Sequence, residues 1–221
     1  MSIRRAQPWD LEAMARIAVR AYGPLPSISF LLHTNKDHAP DFIERFFLRN
    51  YQMDLGSTAP TKLFMVLTID APVHDTPKQV VGFAVWRLRP DQSPRRHPIE
   101  VEVLGSEGSC FDPHRSQLTQ LKMAEATSRH INNHMELVEL AVDPDHRRRG
   151  HASLLCKHRM DIAVEDKVPI GVLATDDGPD LYQSLGFDVK EKFIIADQRP
   201  GMEEELEFWA FEWDPAGKEQ A

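Results

Sequence analysis

One carboxylate set into an apolar run is the place where this chain most plainly offers chemistry. Leu137-Val138-Glu139-Leu140-Ala141-Val142 reads as a strand, and Glu139 is its one charged residue. A carboxylate on a central strand loses part of its hydration, which raises its pKa and suits it to accept a proton near neutrality. Asp143-Pro144-Asp145 then breaks the strand, and His146, Arg147, Arg148, Arg149, Gly150, His151 and Ala152 lead into an amphipathic helix. A helix entry carries backbone N–H groups without intrahelical partners and the positive end of the helix dipole, so it is a ready phosphate site. Gly150 and Ala152 keep that entry free of bulk, and the three arginines add positive charge beside it.

Other reactive residue types are weaker signals. Cys156 falls on the inward arc of the helix, more than a turn past the loop, where a buried, inert thiol is expected rather than a nucleophile. His130 and His134 stand four apart on a helical stretch, yet no third ligand follows at a recognisable spacing, and no metal is expected. His146 and His151 flank the arginines and read as loop residues near a phosphate. Three consecutive arginines fall short of a nuclear-localisation or nucleic-acid patch. A net charge of −8 also argues against broad binding to nucleic acid.

The elements that must position these groups follow from periodicity. Residues 2–6 are a short strand. Asp10 can cap a helix over 10–22, where Leu11, Met14, Ala15, Ile17, Ala18 and Ala21 recur at helical spacing. Residues 39–51 form a second helix with Phe42, Ile43, Phe46, Phe47 and Tyr51 on one side. Strands at 62–70 and 80–89 suggest an antiparallel hairpin with a long loop. Residues 90–98, with three prolines and two arginines, are an exposed loop, 100–112 is poorly patterned, and 113–134 is an inserted helix. After the strand at 137–142 come a helix whose inward arc holds Ala152, Leu155, Cys156, Met160, Ile162, Ala163 and Val164, a strand at 168–175 and a short helix at 178–184. Gly186 suits the C′ position of that short helix. Strands at 188–196 and 204–214 end the pattern, and 215–221 reads as a loose tail.

This order describes a mixed α/β domain that is not regularly doubly wound. One domain over residues 1–214 fits the length of 221, with an insertion at 90–134. No apolar run approaches the ~20 residues of a membrane span, and no secretory signal is recognised. Two cysteines make no disulfide framework, so a cytoplasmic protein is the default.

Val142-Asp143-Pro144, then Arg147 to Ala152 with Leu154 and Leu155, resembles the acetyl-CoA motif of the GCN5-related N-acetyltransferases, the GNAT family. Leu181-Tyr182-Gln183-Ser184-Leu185-Gly186-Phe187 resembles the family's second motif, at a typical separation. The resemblance is strong over residues 135–189 and rests on element order before them. It implies a mixed, mostly antiparallel sheet of about seven strands flanked by helices, with a splayed parallel pair at 137–142 and 170–175. It implies pantetheine pairing with the backbone of Leu140, Ala141 and Val142. The pyrophosphate would lie on Arg147, Arg148, Arg149, Gly150, His151 and Ala152, with Ser153 nearby.

Acetyl transfer from a thioester to an amine must first remove a proton, because a free alkylamine with a pKa of about 10 is mostly charged at pH 7. Glu139 is the expected base, acting directly or through a water; the bland alternative is that it orients substrate or pairs with a cation. Asp176, Asp177 and His134 are fallback bases. Tyr182 is the expected acid for the departing thiolate, the alternative being a tyrosine packed with a satisfied hydroxyl. The expected activity is direct transfer of acetyl from acetyl-CoA to the primary amine of a small molecule. A protein or peptide acceptor is one alternative, and a non-catalytic acyl-CoA-binding module is another. No nucleic-acid or membrane partner is expected, and a homodimer is left open.

Overall fold

The computed structural model describes residues 1–32, 39–57, 61–70, 78–89, 110–175 and 177–217. The expected loop at 90–98, most of 100–112, the fallback base Asp176 and residues 218–221 lie outside the described residues. The strands are β1 (Ser2–Arg5), β2 (Lys62–Ile69), β3 (Gln79–Arg87), β4 (Met135–Val142), β5 (Ile170–Ala174), β6 (Asp188–Asp197) and β7 (Glu204–Trp213). The helices are α1 (Leu11–Tyr22), α2 (Pro26–Leu32), α3 (Ala39–Leu55), α4 (Pro113–His130), α5 (His151–Asp166) and α6 (Pro179–Ser184). The sheet order is β1-β2-β3-β4-β5-β7-β6, mostly antiparallel, with β4 and β5 parallel. The expected mixed α/β architecture is therefore present. Among the described residues, no helix is long and apolar enough to cross a membrane.

The chain divides into two compact units: Met1–Gly23, Pro40–Gly108 and Val138–Arg159 make the first, and Pro24–Ala39, Ser109–Leu137 and Met160–Ala221 the second. In the first unit β2 pairs with β1 and β3, and all six central residues of β2 are buried. The apolar stripe of α1 — Leu11, Met14, Ala15, Ile17, Ala18 and Ala21 — shares its core with Tyr51, Phe64, Phe83 and Ala141. Burying such stripes at about 25 cal/mol per Å² is what holds the helices on the sheet. Asp10 does not cap α1 through its side chain. Its carboxylate instead accepts from the Gln7 N–H at 2.8 Å and from Arg4 at 2.6 and 2.9 Å, so it ties the end of β1 to the turn before the helix.

In the second unit β7 lies between β5 and β6, and Phe30, Phe193, Ile195, Leu206 and Phe208 form the core with Ala126. Arg115 of α4 is fully buried there. Its Nε donates to Asp197 at 2.7 Å, its other nitrogens to the carbonyls of Phe30 and Met202 at 2.9 Å and to Glu204, and it lies over the Phe30 ring at 4.6 Å. Arg199 adds a second guanidinium on Asp197, at 2.6 Å, and reaches Asp112 at 3.1 Å. Asp112 caps α4 through the Arg115 N–H at 2.9 Å.

Two further expectations need correction. Val164 is exposed, whereas Leu155, Cys156, Met160 and Ala163 are buried; the next residue after Ala163 turns 100° off the inward stripe. The expected loose tail begins with a 3₁₀ turn, Pro215–Gly217, in which Pro215 is buried and the Ala216 N–H bonds to Asp214 at 2.9 Å.

Candidate active site

Glu139 stands on β4 where the strand belongs to the first unit, and it is half-buried. Its Oε2 accepts the phenol O–H of Tyr51, on α3, at 2.6 Å. Tyr51 is 1% exposed, and its ring is gripped by Phe47, Phe64 and Phe83 at centroid distances of 5.9, 5.7 and 5.8 Å. Nearby Lys62 donates to Asp54 at 2.7 Å. Desolvation raises the Glu139 pKa, while the Tyr51 hydrogen bond and the Lys62 charge pull it down and Asp54 pushes it up. Desolvation is the strongest of these, so the carboxylate is held above its ordinary range. Burial and then the Glu139 charge push the Tyr51 phenol well above its own ordinary value, so it stays a donor. Periodicity placed Tyr51 on the apolar side of its helix; the only sequence signal of its role is a tyrosine where the neighbouring positions carry phenylalanine.

The loop after β4 is pinned to α1. Arg20 donates to Asp143 at 2.7 Å and to Asp145 at 2.8 Å, and Asp143 accepts the Asp145 N–H at 3.0 Å. Arg147 reaches the Ala21 carbonyl and Arg149 the Asp145 carbonyl, both at 3.3 Å. Arg147, Arg148, Arg149 and Gly150 are exposed. Arg148 and Gly150 take left-handed backbone, with φ of 61° and 76°. Leu154 makes the first helical bond, to the Gly150 carbonyl at 3.0 Å, so the N–H groups of His151, Ala152 and Ser153 precede the ladder. Nothing lies within 4 Å of where a Gly150 Cβ would stand. The glycine thus serves a left-handed turn, and a side chain there would point into open space. His151 is buried, and desolvation lowers its pKa, which favours the neutral imidazole.

Leu140, Ala141 and Val142 complete β4, and Ala141 and Val142 are buried. Parallel pairing with β5 holds Met135, Glu136 and Leu137 opposite Ile170, Gly171 and Val172. Tyr182 belongs to the second unit. Its helix closes with the Phe187 N–H on the Tyr182 carbonyl and the Gly186 N–H on the Gln183 carbonyl, both at 2.9 Å, with Gly186 at φ 84°. This is a Schellman ending, and its apolar contact is Tyr182 on Phe187 at 5.6 Å. The ring also meets Phe211 at 5.5 Å. The Leu-Tyr-x-x-x-Gly-Phe pattern is thus the packing code of a helix end, whatever chemistry its hydroxyl performs.

Among the other candidates, Cys156 is fully buried and its thiol is pushed up to about 12, too high for a nucleophile. His130 bonds Glu191 at 2.6 Å while His134 bonds Glu212 at 2.7 Å, so the pair serves two different carboxylates. Asp177 is exposed. Among the described residues, no group of three or more histidine, cysteine or acidic residues could hold a metal ion.

The model of the acetyltransferase (GNAT) family matches residues 32–187, well over half of the chain. The chain belongs to the GNAT acetyltransferase family. An acetyltransferase from Stachybotrys chartarum is 23% identical over 201 residues, covering 89% of this chain and 84% of the relative. Two solved structures share the GNAT fold. The ribosomal-protein-S18-alanine N-acetyltransferase from Escherichia coli aligns with a TM-score of 0.53 at 15% identity, over 96% of this chain and 92% of that one. The Drosophila melanogaster polyamine N-acetyltransferase, which forms N-acetylagmatine, aligns with 0.56 at 14%, over 96% and 99%. One acts on a protein and the other on a small amine, so the GNAT fold leaves the acceptor open.

Proposed function

We propose that this acetyltransferase moves the acetyl group of acetyl-CoA to the primary amine of a small molecule by direct transfer in a ternary complex. The observation that carries the reading is the half-buried Glu139, its pKa raised, on the strand that runs directly into a left-handed, N–H-rich helix entry. A carboxylate with a raised pKa is the better base for an ammonium group. The open helix entry suits a diphosphate. Residues 147–153 would hold the pyrophosphate, mainly through N–H groups, and the backbone of Leu140, Ala141 and Val142 the pantetheine arm. The family match draws on both units, in favour of a single catalytic domain over 1–214.

The substrate ammonium loses one proton to Glu139, directly or through a water. The neutral nitrogen attacks the thioester carbonyl carbon, forming the C–N bond and a tetrahedral oxyanion, which a backbone N–H can stabilise. As the C–S bond breaks, the thiolate takes a proton from Tyr182, proposed here on its motif. The nitrogen gives up its second proton, so the sum is amide, CoA thiol and one proton released. The inert Cys156 favours direct transfer over an acyl-enzyme.

A thiol-release screen of the purified protein with acetyl-CoA against amines, polyamines, amino acids, aminoglycosides and basic peptides tests the reading. Turnover of a small amine supports it, and turnover of peptides alone replaces the acceptor. Stabilisation by acetyl-CoA without turnover would favour a binding module, and no stabilisation would sink both.

A further inference from the structure

We propose that Tyr51 is a positioning residue for the transfer: its phenol O–H fixes Oε2 of Glu139 and leaves Oε1 as the oxygen that receives the amine proton. The inference rests on the acetyltransferase reading and concerns how its base is set.

Three features of the first unit carry it. The Tyr51 O–H meets Oε2 at 2.6 Å, a short bond to a charged acceptor. Its ring is 1% exposed and is touched by three aromatic rings, so the hydroxyl cannot swing away without disturbing the core. The donor is also neutral. An arginine in its place would drag the carboxylate pKa down by about 1–3 units and spoil the base. A phenylalanine would leave desolvation less opposed, and more of the carboxylate would sit protonated at neutral pH. A phenol lies between: it opposes desolvation without cancelling it, so the carboxylate pKa stays raised. Among the described residues, the other charges acting on Glu139 are Lys62 of β2 and Asp54 of α3, bound to each other at 2.7 Å, so their effects on Glu139 oppose. Tyr22 of α1 acts on the Tyr51 side.

The step is a proton transfer: an N–H bond of the ammonium breaks, an O–H bond forms at Oε1, and the lone pair stays on nitrogen. Oε2 keeps its bond to Tyr51 throughout, so the carboxyl group does not rotate as it gains the proton.

Two reciprocal titrations of the full chain test the pair. With carboxyl-¹³C glutamate, the Glu139 signal, assigned by its loss in Glu139→Gln, should titrate about half to one unit higher in Tyr51→Phe than in the wild type. The acid limb of kcat/KM should move up equally, and kcat on the plateau should fall about 3- to 10-fold, while stabilisation by acetyl-CoA is retained. A tyrosine that only fills space would leave both pH readouts in place. In Glu139→Gln, phenolate absorbance should show one of the three tyrosines ionising at lower pH than before. This second variant decides the matter if Tyr51→Phe does not fold. Unmoved titrations overturn the proposal. Shifted titrations without turnover of any amine support the pairing and sink the acetyltransferase reading instead.

Discussion

Glu139 and Asp197 are both enclosed carboxylates on strands, and their units treat them in opposite ways. Asp197 is 1% exposed and meets two guanidiniums and a backbone N–H, Arg115 at 2.7 Å and Arg199 at 2.6 and 3.1 Å. The Arg199 hydrogen bond first, and Arg115 with it, hold its pKa far below the ordinary range despite burial. Glu139 is given one neutral phenol, and desolvation wins. Burial alone does not make a carboxylate reactive. The number and charge of its partners decide whether it is a reagent or a brace.

The largest expected effect is on the reagent. Glu139→Gln should lower kcat by about 10²- to 10⁴-fold while acetyl-CoA still stabilises the protein, read by thiol release and thermal shift. A variant of near-normal kcat would remove Glu139 as the base and erase the contrast. Next is the brace: Arg115→Met leaves Glu204 and part of Asp197 unpaired and should cost about 3–5 kcal/mol in denaturant unfolding. Activity per folded molecule should survive. An unchanged midpoint would mean that the second unit does not depend on its ion network.

The pH dependences have opposite signs. The Asp197 pKa is depressed on folding, so its stabilisation is complete above the ordinary carboxylate value of about 3.9 and is lost as pH falls toward the folded value. The Glu139 pKa is raised, so its charge costs stability at neutral pH and that cost fades as pH falls through its folded value. Acid unfolding should therefore be somewhat less steep in Arg115→Met, with the larger share due to Arg199 retained. The acid limb of kcat/KM in the wild type should lie above about 4.3, the ordinary glutamate value.

Two of the left-handed glycines, Gly150 and Gly186, sharpen the contrast at smaller scale. Gly150→Ala and Gly186→Ala should each cost about 1 kcal/mol of stability. Only Gly150→Ala should also raise the KM for acetyl-CoA. Smallest of all, Glu139→Gln should raise Tm at pH 7 by about 1–3 °C, the gain from removing a charge that folding disfavours.

What was legible in the sequence is what neighbouring residues specify. The β4–loop–α5 stretch and the Leu181–Phe187 helix end were readable because strand, breaker, left-handed glycine and helix are coded within a few residues. The pairings that give the carboxylates their characters were not readable. Tyr51 and Glu139 are 88 residues apart, and Arg115 and Asp197 are 82 apart. Periodicity tells which face of an element turns inward, and so put Tyr51 with the phenylalanines, but not which polar atom it will meet there. Asp10 misled for a related reason: a side chain that can cap a helix can also take an arginine, and Arg4 prevailed.

Arg20 closes on Asp143 across 123 residues of chain. On a ribosome adding about 5–20 residues per second, helix α1 waits about 6–25 seconds before the loop it clamps has been made. Until then Arg20 has neither carboxylate to bind. The clamp therefore closes late in synthesis, when helix α1 meets a loop made long after it.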